Sequence, residues 1–196
     1  MFDLDRDDDE DEDGRSAQDS WTLLILVLMY EHLQGESSRW KPYLDVLPSS
    51  FDTPMFWAPD ELAELQASAL VGKVGKEEAD RMIRTKVVSV IREHENVFFP
   101  PGTRRLDDEE LFALAHRMGS TIMAYAFDLE NDEDGEDNDE DDEWVEDRED
   151  KTMLGMVPMA DMLNADAVFN AHINHGKDTL TATALRTIRA GEEILN

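Results

Sequence analysis

Residues 157–166 read VPMADMLNAD and combine apolar residues, a proline and a polar Asn-Ala-Asp end. They belong to a longer series of methionines that recur every three residues, at Met153, Met156, Met159 and Met162. Thioethers can bind copper, but Pro158 interrupts any helix that would align the four sulfur atoms. Methionine more often fills gaps in hydrophobic cores. The spacing therefore predicts core packing and leaves the role of the polar end open.

Negative charge dominates the 196 residues, whose formal net charge is −29 at pH 7. Most of this charge lies in two runs, because residues 3–13 hold nine acidic side chains and residues 128–150 hold sixteen. Outside these runs, 22 acidic and 16 basic residues remain, which is an ordinary balance for a globular protein. Acidic runs repel themselves and bury little apolar surface, so we expect solvated disorder. Their charge would attract basic proteins and repel nucleic acid.

The chain contains no cysteine, which excludes disulfide scaffolds and thiolate-rich zinc sites and fits a reducing intracellular compartment. Its most apolar stretch, WTLLILVLMY at residues 21–30, is half as long as a bilayer requires. Acidic residues precede it, whereas a signal peptide begins with basic ones. The stretch predicts a helix of a soluble protein that begins at Asp19 or Ser20, ends near Gly35 and is surrounded by neighbours.

Helical patterns come first along the chain and β-type patterns come last. Further helices are predicted over residues 59–70, 76–98 and 107–127. Two short β-type runs follow, VFNAHIN at residues 168–174 and DTLTATAL at residues 178–185. A turn through Gly176 would join them as a hairpin, and Gly191 marks a turn before a further strand. This order, without alternation, favours an α+β fold over a parallel α/β sheet.

Histidines offer the remaining candidates for a metal site. His172 and His175 lie three residues apart near the predicted hairpin. Neither has a cysteine or a carboxylate at convincing ligand spacing, so no metal site is predicted. The sequence also contains no glycine-rich nucleotide-binding motif and no G-x-S-x-G.

The segments SRWKPYLDVLP, PMFW and IMAYAF stand, in this order, before VPMADMLNAD and NAHINHGKDTLTATALRTIRAGEEILN. Together they resemble SET-domain lysine methyltransferases of the Rubisco large-subunit methyltransferase type, and most closely the fungal ribosomal-protein lysine methyltransferases. The likeness covers roughly residues 21–196, apart from the acidic loop. It implies that a methyl group passes from S-adenosylmethionine to a protein lysine, without a metal ion and without a covalent intermediate.

The resemblance also implies a division of the chain. Residues 1–18 would form an acidic disordered segment and residues 19–127 a helical insertion of the i-SET kind. Residues 128–152 would form an acidic disordered loop, and residues 153–196 an incomplete C-terminal part of the SET core. A G-x-G element and a catalytic tyrosine are expected in the family but lie outside this sequence, so we predict no catalytic residue here and little turnover from the chain alone.

Site residues follow from the same resemblance. Tyr125 and the side chain of Asn164 would contact the cofactor, and Ala165 would bind the adenine through its backbone where the family has histidine. That exchange is tolerable because every residue except proline carries a backbone donor and a backbone acceptor. Ala126 and Phe127 would lie near the lysine channel. Trp40 would line the substrate side, with an aromatic plug in the helical lobe as its alternative.

The implied partner is a basic ribosomal or nuclear protein, with no direct binding of nucleic acid or membrane. The expected location is the nucleus, with the cytoplasm as the alternative. A competing hypothesis keeps the fold but not the chemistry: a non-enzymatic acidic adaptor that binds histones or ribosomal proteins by charge.

Overall fold

The computed structural model describes residues 9–66, 68–69, 73–130, 152–176 and 179–196. They fall into two units, of which one is Thr22–Ala124 and the other is Tyr125–Asn196 together with the N-terminal stretch up to Trp21. The described strands all lie in the second unit, and helices precede them along the chain. The predicted α+β class is therefore confirmed.

Helices build the unit Thr22–Ala124. In chain order the described helices are α1 (Asp9–Leu33), a 3-10 turn (Gly35–Ser37), α2 (Lys41–Leu44), α3 (Pro59–Ala63), α4 (Lys76–Met82), a π-helix (Ile83–Val88), α5 (Ser89–Glu93), α6 (Glu95–Phe98) and α7 (Asp108–Tyr125). Apolar side chains of α1, of the α4–α6 region and of α7 form its core. The most deeply buried of them are Ile25, Met29, Ile83, Val87, Ile91 and Leu111. Within the described residues, no helix is both long enough and apolar enough to cross a membrane.

Helix α1 differs from the prediction at its start and in its packing. It begins at Asp9, so the predicted disorder of residues 1–18 is wrong for residues 9–18, while residues 1–8 lie outside the described residues. A helix N-terminus carries positive partial charge, which makes an acidic segment favourable there. The helix is also not surrounded: Ile25 is fully buried, but Leu23 is 59% exposed. One face packs on the core, and the opposite face stays apolar and open.

Two other predicted helices are interrupted or shortened. The helix expected over residues 76–98 contains the π-helix Ile83–Val88, next to which the hydroxyl groups of Thr85 and Ser89 donate to backbone carbonyls one turn earlier. Such side-chain bonds compete with the regular helical ladder. The helix expected to reach Leu70 ends at Ala63, and Gln66 soon after it adopts φ 51, a left-handed conformation that cannot continue a helix.

The acidic loop joins two paired strands rather than irregular ends. Helix α7 ends at Tyr125, and β1 (Ala126–Glu130) pairs antiparallel with β2 (Thr152–Met156), from Ala126 opposite Met156 to Glu130 opposite Thr152. The predicted helix to Phe127 is therefore two residues too long, and residues 128–130 belong to a strand instead of the loop. Residues 131–151, which carry most of the acidic charge, lie outside the described residues.

The predicted hairpin near the C-terminus is confirmed. Strands β3 (Ala171–His175) and β4 (Leu180–Ala184) pair antiparallel, and the N–H of Gly176 donates to the carbonyl of Thr179 at 2.8 Å. Gly191 adopts φ 84, as its predicted turn requires. The strand expected after it is reduced to a single parallel bridge between Leu195 and Asn164.

The core packing predicted for the methionine series is wrong at two positions. Met159 is 78% exposed and Met162 is 61% exposed, whereas Met156 is half-buried. Residues 159–162 form turns, and Met159 adopts φ 77, so no regular face is available to bury the side chains. Nothing is described for the side chain of Met153.

Candidate functional site

The C-terminal segment 193–196 lies beside the polar end of the opening stretch. The N–H of Asn196 donates to the carbonyl of Asn164 at 2.9 Å, and the N–H of Asp166 donates to the carbonyl of Asn196 at 3.2 Å. These bonds accompany the parallel bridge between Asn164 and Leu195. Two segments whose paired residues lie 30 to 32 positions apart in sequence are thus held side by side.

Asn170 fastens the other side of the C-terminal segment. Only 1% of its surface is exposed. Its Nδ2 donates to the carbonyl of Glu193 at 2.8 Å, and its Oδ1 accepts from the N–H of Leu195 at 3.0 Å. Its own N–H and that of Ala171 donate to the carbonyl of Leu195. A buried amide that satisfies both a donor and an acceptor of one segment fixes the register of that segment, here residues 193–196 relative to Asn170.

A turn at residues 186–192 directly precedes this C-terminal segment. The guanidinium of Arg186 forms an ion pair with Glu192 at 2.5 Å, and the Glu192 carboxylate accepts from the N–H of Arg189 at 3.0 Å. The hydrogen bond from Arg186, followed by that backbone contact, lowers the pKa of Glu192. The carboxylate is therefore ionised at neutral pH, and its bonds to Arg186 and to the N–H of Arg189 hold the turn together.

The side chain of Asn164 is exposed and oriented by a carboxylate. Its Nδ2 donates to Oε1 of Glu193 at 2.6 Å. A hydrogen bond to a charged acceptor is stronger than one between neutral groups, so the amide plane is held with Oδ1 directed away from Glu193. Sequence reasoning found Asn164 through the family resemblance but missed Glu193, which it treated only as part of GEEILN.

Ala165 lies between the two residues that bond to Asn196. Successive peptide groups of an extended segment point to opposite sides, so the N–H and C=O of Ala165 point away from Asn196. The residue is exposed. A ligand on that side meets a donor and an acceptor from one residue, which are the groups that the expected adenine contact requires.

Tyr125, Ala126 and Phe127 lie where α7 passes into β1. All three are half-buried, and the ring of Phe127 lies 6.3 Å from the ring of His175 at an interplanar angle of 59°. This ring contact links the β1–β2 pair to the end of β3. Their predicted roles at the cofactor and near the lysine channel stay predictions.

Trp40 belongs to the helical unit and precedes α2. The ring is 40% exposed, and the guanidinium of Arg39 lies 5.2 Å from its centroid. Its backbone N–H donates to Oγ of Ser38 at 3.0 Å. The alternative of a buried aromatic plug does not fit this exposure. Its role at the substrate side stays a prediction.

Histidines and carboxylates do not converge on a metal site. Across the described parts of the chain, no group of three or more potential ligands among histidine, cysteine, aspartate and glutamate is close enough to hold an ion.

Comparison with solved structures defines the fold. The crystal structure of the SET domain of LSMT bound to lysine and AdoHcy superposes with a TM-score of 0.57 over 93% of this chain and 38% of that chain, at 21% sequence identity. The chain therefore adopts part of a SET-domain fold.

Sequence comparison gives relatives of one kind. The chain is 33% identical over 183 residues to ribosomal lysine N-methyltransferase 4 of Saccharomyces cerevisiae, covering 90% of this chain and 36% of the relative. It is 32% identical over 189 residues to N-lysine methyltransferase SETD6 of Homo sapiens, covering 92% and 35%. No protein-family model matches the chain. The chain spans about a third of the length of these curated relatives, and over most of its own length it is similar to SET-domain lysine methyltransferases.

Proposed function

We propose that this chain is part of an S-adenosylmethionine-dependent protein-lysine N-methyltransferase. The observation that carries the proposal is the pairing of residues 193–196 with residues 164–166, which turns the peptide groups of Ala165 outward beside the oriented amide of Asn164. The names of the sequence relatives and the AdoHcy bound to the structural neighbour support the same chemistry.

The residues present fit such a cofactor. Ala165 offers a backbone donor and acceptor to a purine, and Asn164 offers an amide whose orientation Glu193 fixes. When bound, S-adenosylmethionine supplies the methyl group. The chain contributes binding and orientation, because positioning is the main source of rate in a transfer without a metal or covalent intermediate. Tyr125 at the end of α7 is the proposed third contact.

Replacing Ala165 with proline is expected to weaken binding of S-adenosylhomocysteine about tenfold, because proline has no N–H to donate to the purine. The extended backbone at Asn164 is compatible with a following proline, and both bonds to Asn196 use other residues. Isothermal titration calorimetry on the purified chain measures the effect.

Serine at position 165 is the matched control, since it keeps the N–H and should bind like the parent protein. Equal affinity of the proline and serine variants would remove Ala165 from the site. An absence of S-adenosylhomocysteine binding by the parent protein would overturn the proposed function as a whole. Methyl transfer from labelled cofactor to lysines of a ribosomal-protein or histone mixture then tests the reaction, with little turnover expected from this chain alone.

The proposed substrate is a basic ribosomal or nuclear protein. The yeast relative is a ribosomal lysine N-methyltransferase, and the charge of this chain favours basic partners. The nucleus, with the cytoplasm as the alternative, stays the predicted location.

The acidic charge of residues 131–151, which connect β1 to β2, favours a second candidate function, an acidic adaptor that binds basic proteins without turnover. Because β1 and β2 pair up to Glu130 opposite Thr152, residues 131–151 can be replaced by Asn-Gly, a dipeptide that closes two-residue hairpins. The replacement is expected to weaken histone binding at least about tenfold at low salt, and the difference should vanish near about 1 M salt. Pull-down or calorimetry across a salt series measures it.

A second variant separates charge from length. It keeps residues 131–151 but changes Asp to Asn and Glu to Gln, and it should lose binding as fully as the shortened hairpin. Unchanged histone binding in both variants would rule out the adaptor and would leave the cofactor site untouched.

A further inference from the structure

A pocket of about 440 Å³ opens within the helical unit and plays no part in the proposed methyl transfer. Rings of Phe51 and Phe56 form part of its wall, stacked with their centroids 6.3 Å apart. The ring of Phe56 is exposed. Its size lies within the range of small-molecule sites, which are mostly apolar with a few polar groups that orient the ligand.

Arg117 is the charged group of this pocket. It is half-buried on α7, and burial lowers its pKa, although an arginine stays protonated at any physiological pH. In the part of the chain that the structure describes, no carboxylate lies within ion-pair distance of Arg117. By contrast, Arg84, Arg92, Arg104 and Arg186 each pair with one.

His32 is the polar neighbour of Arg117. A guanidinium nitrogen of Arg117 lies 3.2 Å from Nε2 of His32, so the arginine donates and the neutral imidazole accepts. Partial burial and the charge of Arg117 lower the pKa of His32, while Asp45 raises it and Lys41 lowers it. One arginine N–H is thus used internally, and the rest of the fork is not bound to a carboxylate.

The missing partner is informative because acidic residues are abundant. The chain carries 47 acidic and 18 basic residues, yet the partly desolvated Arg117 lines a pocket that it shares with two aromatic rings and, among the described residues, with no acidic residue. An arginine fork matches a carboxylate in a bidentate geometry, and the hydroxyl groups of Ser49 and Ser50 at the pocket add hydrogen-bonding capacity.

We propose that this pocket binds a small aromatic carboxylate, with its anionic group on Arg117 and its ring against Phe51 and Phe56. The site lies wholly within Thr22–Ala124 and is independent of the proposed methyl transfer.

Binding of 2-naphthoate to the purified chain, measured by calorimetry or ligand-observed NMR, tests the proposal. The parent protein should bind it, and Arg117→Gln should weaken binding at least about tenfold, because the substitution removes a charged donor. Arg104→Gln is the matched control, since Arg104 is already paired with Glu110. This variant should bind 2-naphthoate as the parent protein does. The neutral isostere 2-naphthamide should bind at least about tenfold more weakly than the acid.

Proton linkage supplies a readout that a general loss of packing would not move. A bound carboxylate stabilises protonated His32 and raises its pKa, so the affinity for 2-naphthoate should rise as the pH falls through the range in which His32 takes up its proton. The rise should be absent in His32→Gln. Equal binding of acid and amide, or unchanged binding in Arg117→Gln, would overturn the proposal.

Discussion

Replacing Asn170 with alanine is expected to lower the free energy of unfolding by about 2–4 kcal/mol, because two backbone groups of the C-terminal segment lose their bonds to this buried side chain at once. These groups are the carbonyl of Glu193 and the N–H of Leu195. The loss should also weaken binding of S-adenosylhomocysteine, since residues 193–196 would no longer hold Asn164 and Ala165 in place. Urea denaturation followed by circular dichroism measures the first effect.

Asn174→Ala is the control for this change. It removes the same type of side chain from a position within β3, but Asn174 is exposed and its amide donates to Oγ1 of Thr183 at 3.3 Å. We expect a loss of at most about 0.5 kcal/mol there. Equal destabilisation by the two substitutions would contradict the role assigned to Asn170. Hydrogen exchange at Leu195 and Asn196 locates the effect, because these amides should exchange faster only in the Asn170 variant.

Replacing Ile25 with alanine should cost about 2–5 kcal/mol of unfolding free energy, the range for large-to-small changes that leave a cavity. Ile25 is fully buried on the packed face of α1, near other fully buried side chains such as Met29. Thermal and urea denaturation of the variant measure the cost. The cofactor affinity of folded protein should change little, because Ile25 belongs to the helical unit.

Leu23 lies on the same helix two residues away and provides a direct control. Its side chain is exposed, and alanine is as good a helix former as leucine, so Leu23→Ala should change stability by at most about 0.5 kcal/mol. A loss above about 2 kcal/mol at Leu23 would show that the open face of α1 is covered in solution.

The candidate site was only partly predictable from sequence. Asn164 and Ala165 were predicted because their neighbourhood resembles a family segment. Asn170 and Glu193 were not found, since an asparagine inside VFNAHIN looks like an ordinary position of a short strand. Its importance comes from bonds to residues 23 and 25 positions later, and no local pattern encodes such a pairing.

Local pattern also misjudged the methionines and the outer face of α1. Apolar residues at regular spacing predicted burial, yet Met159, Met162 and Leu23 are exposed. Burial depends on whether a neighbouring element is present to cover a face, and periodicity describes only the face itself.

The sequence by itself determined the α+β class, the C-terminal hairpin, the turn at Gly191 and the family, because each depends on local periodicity, turn residues or the order of motifs. Tertiary structure alone decided that the C-terminal segment lies between residues 164–166 and 170–171, and that Arg117 lines one pocket together with Phe51 and Phe56. Both depend on contacts between residues far apart in the chain. Such contacts form only if their free energy outweighs the entropy lost when distant segments are brought together, and local sequence patterns do not encode that balance.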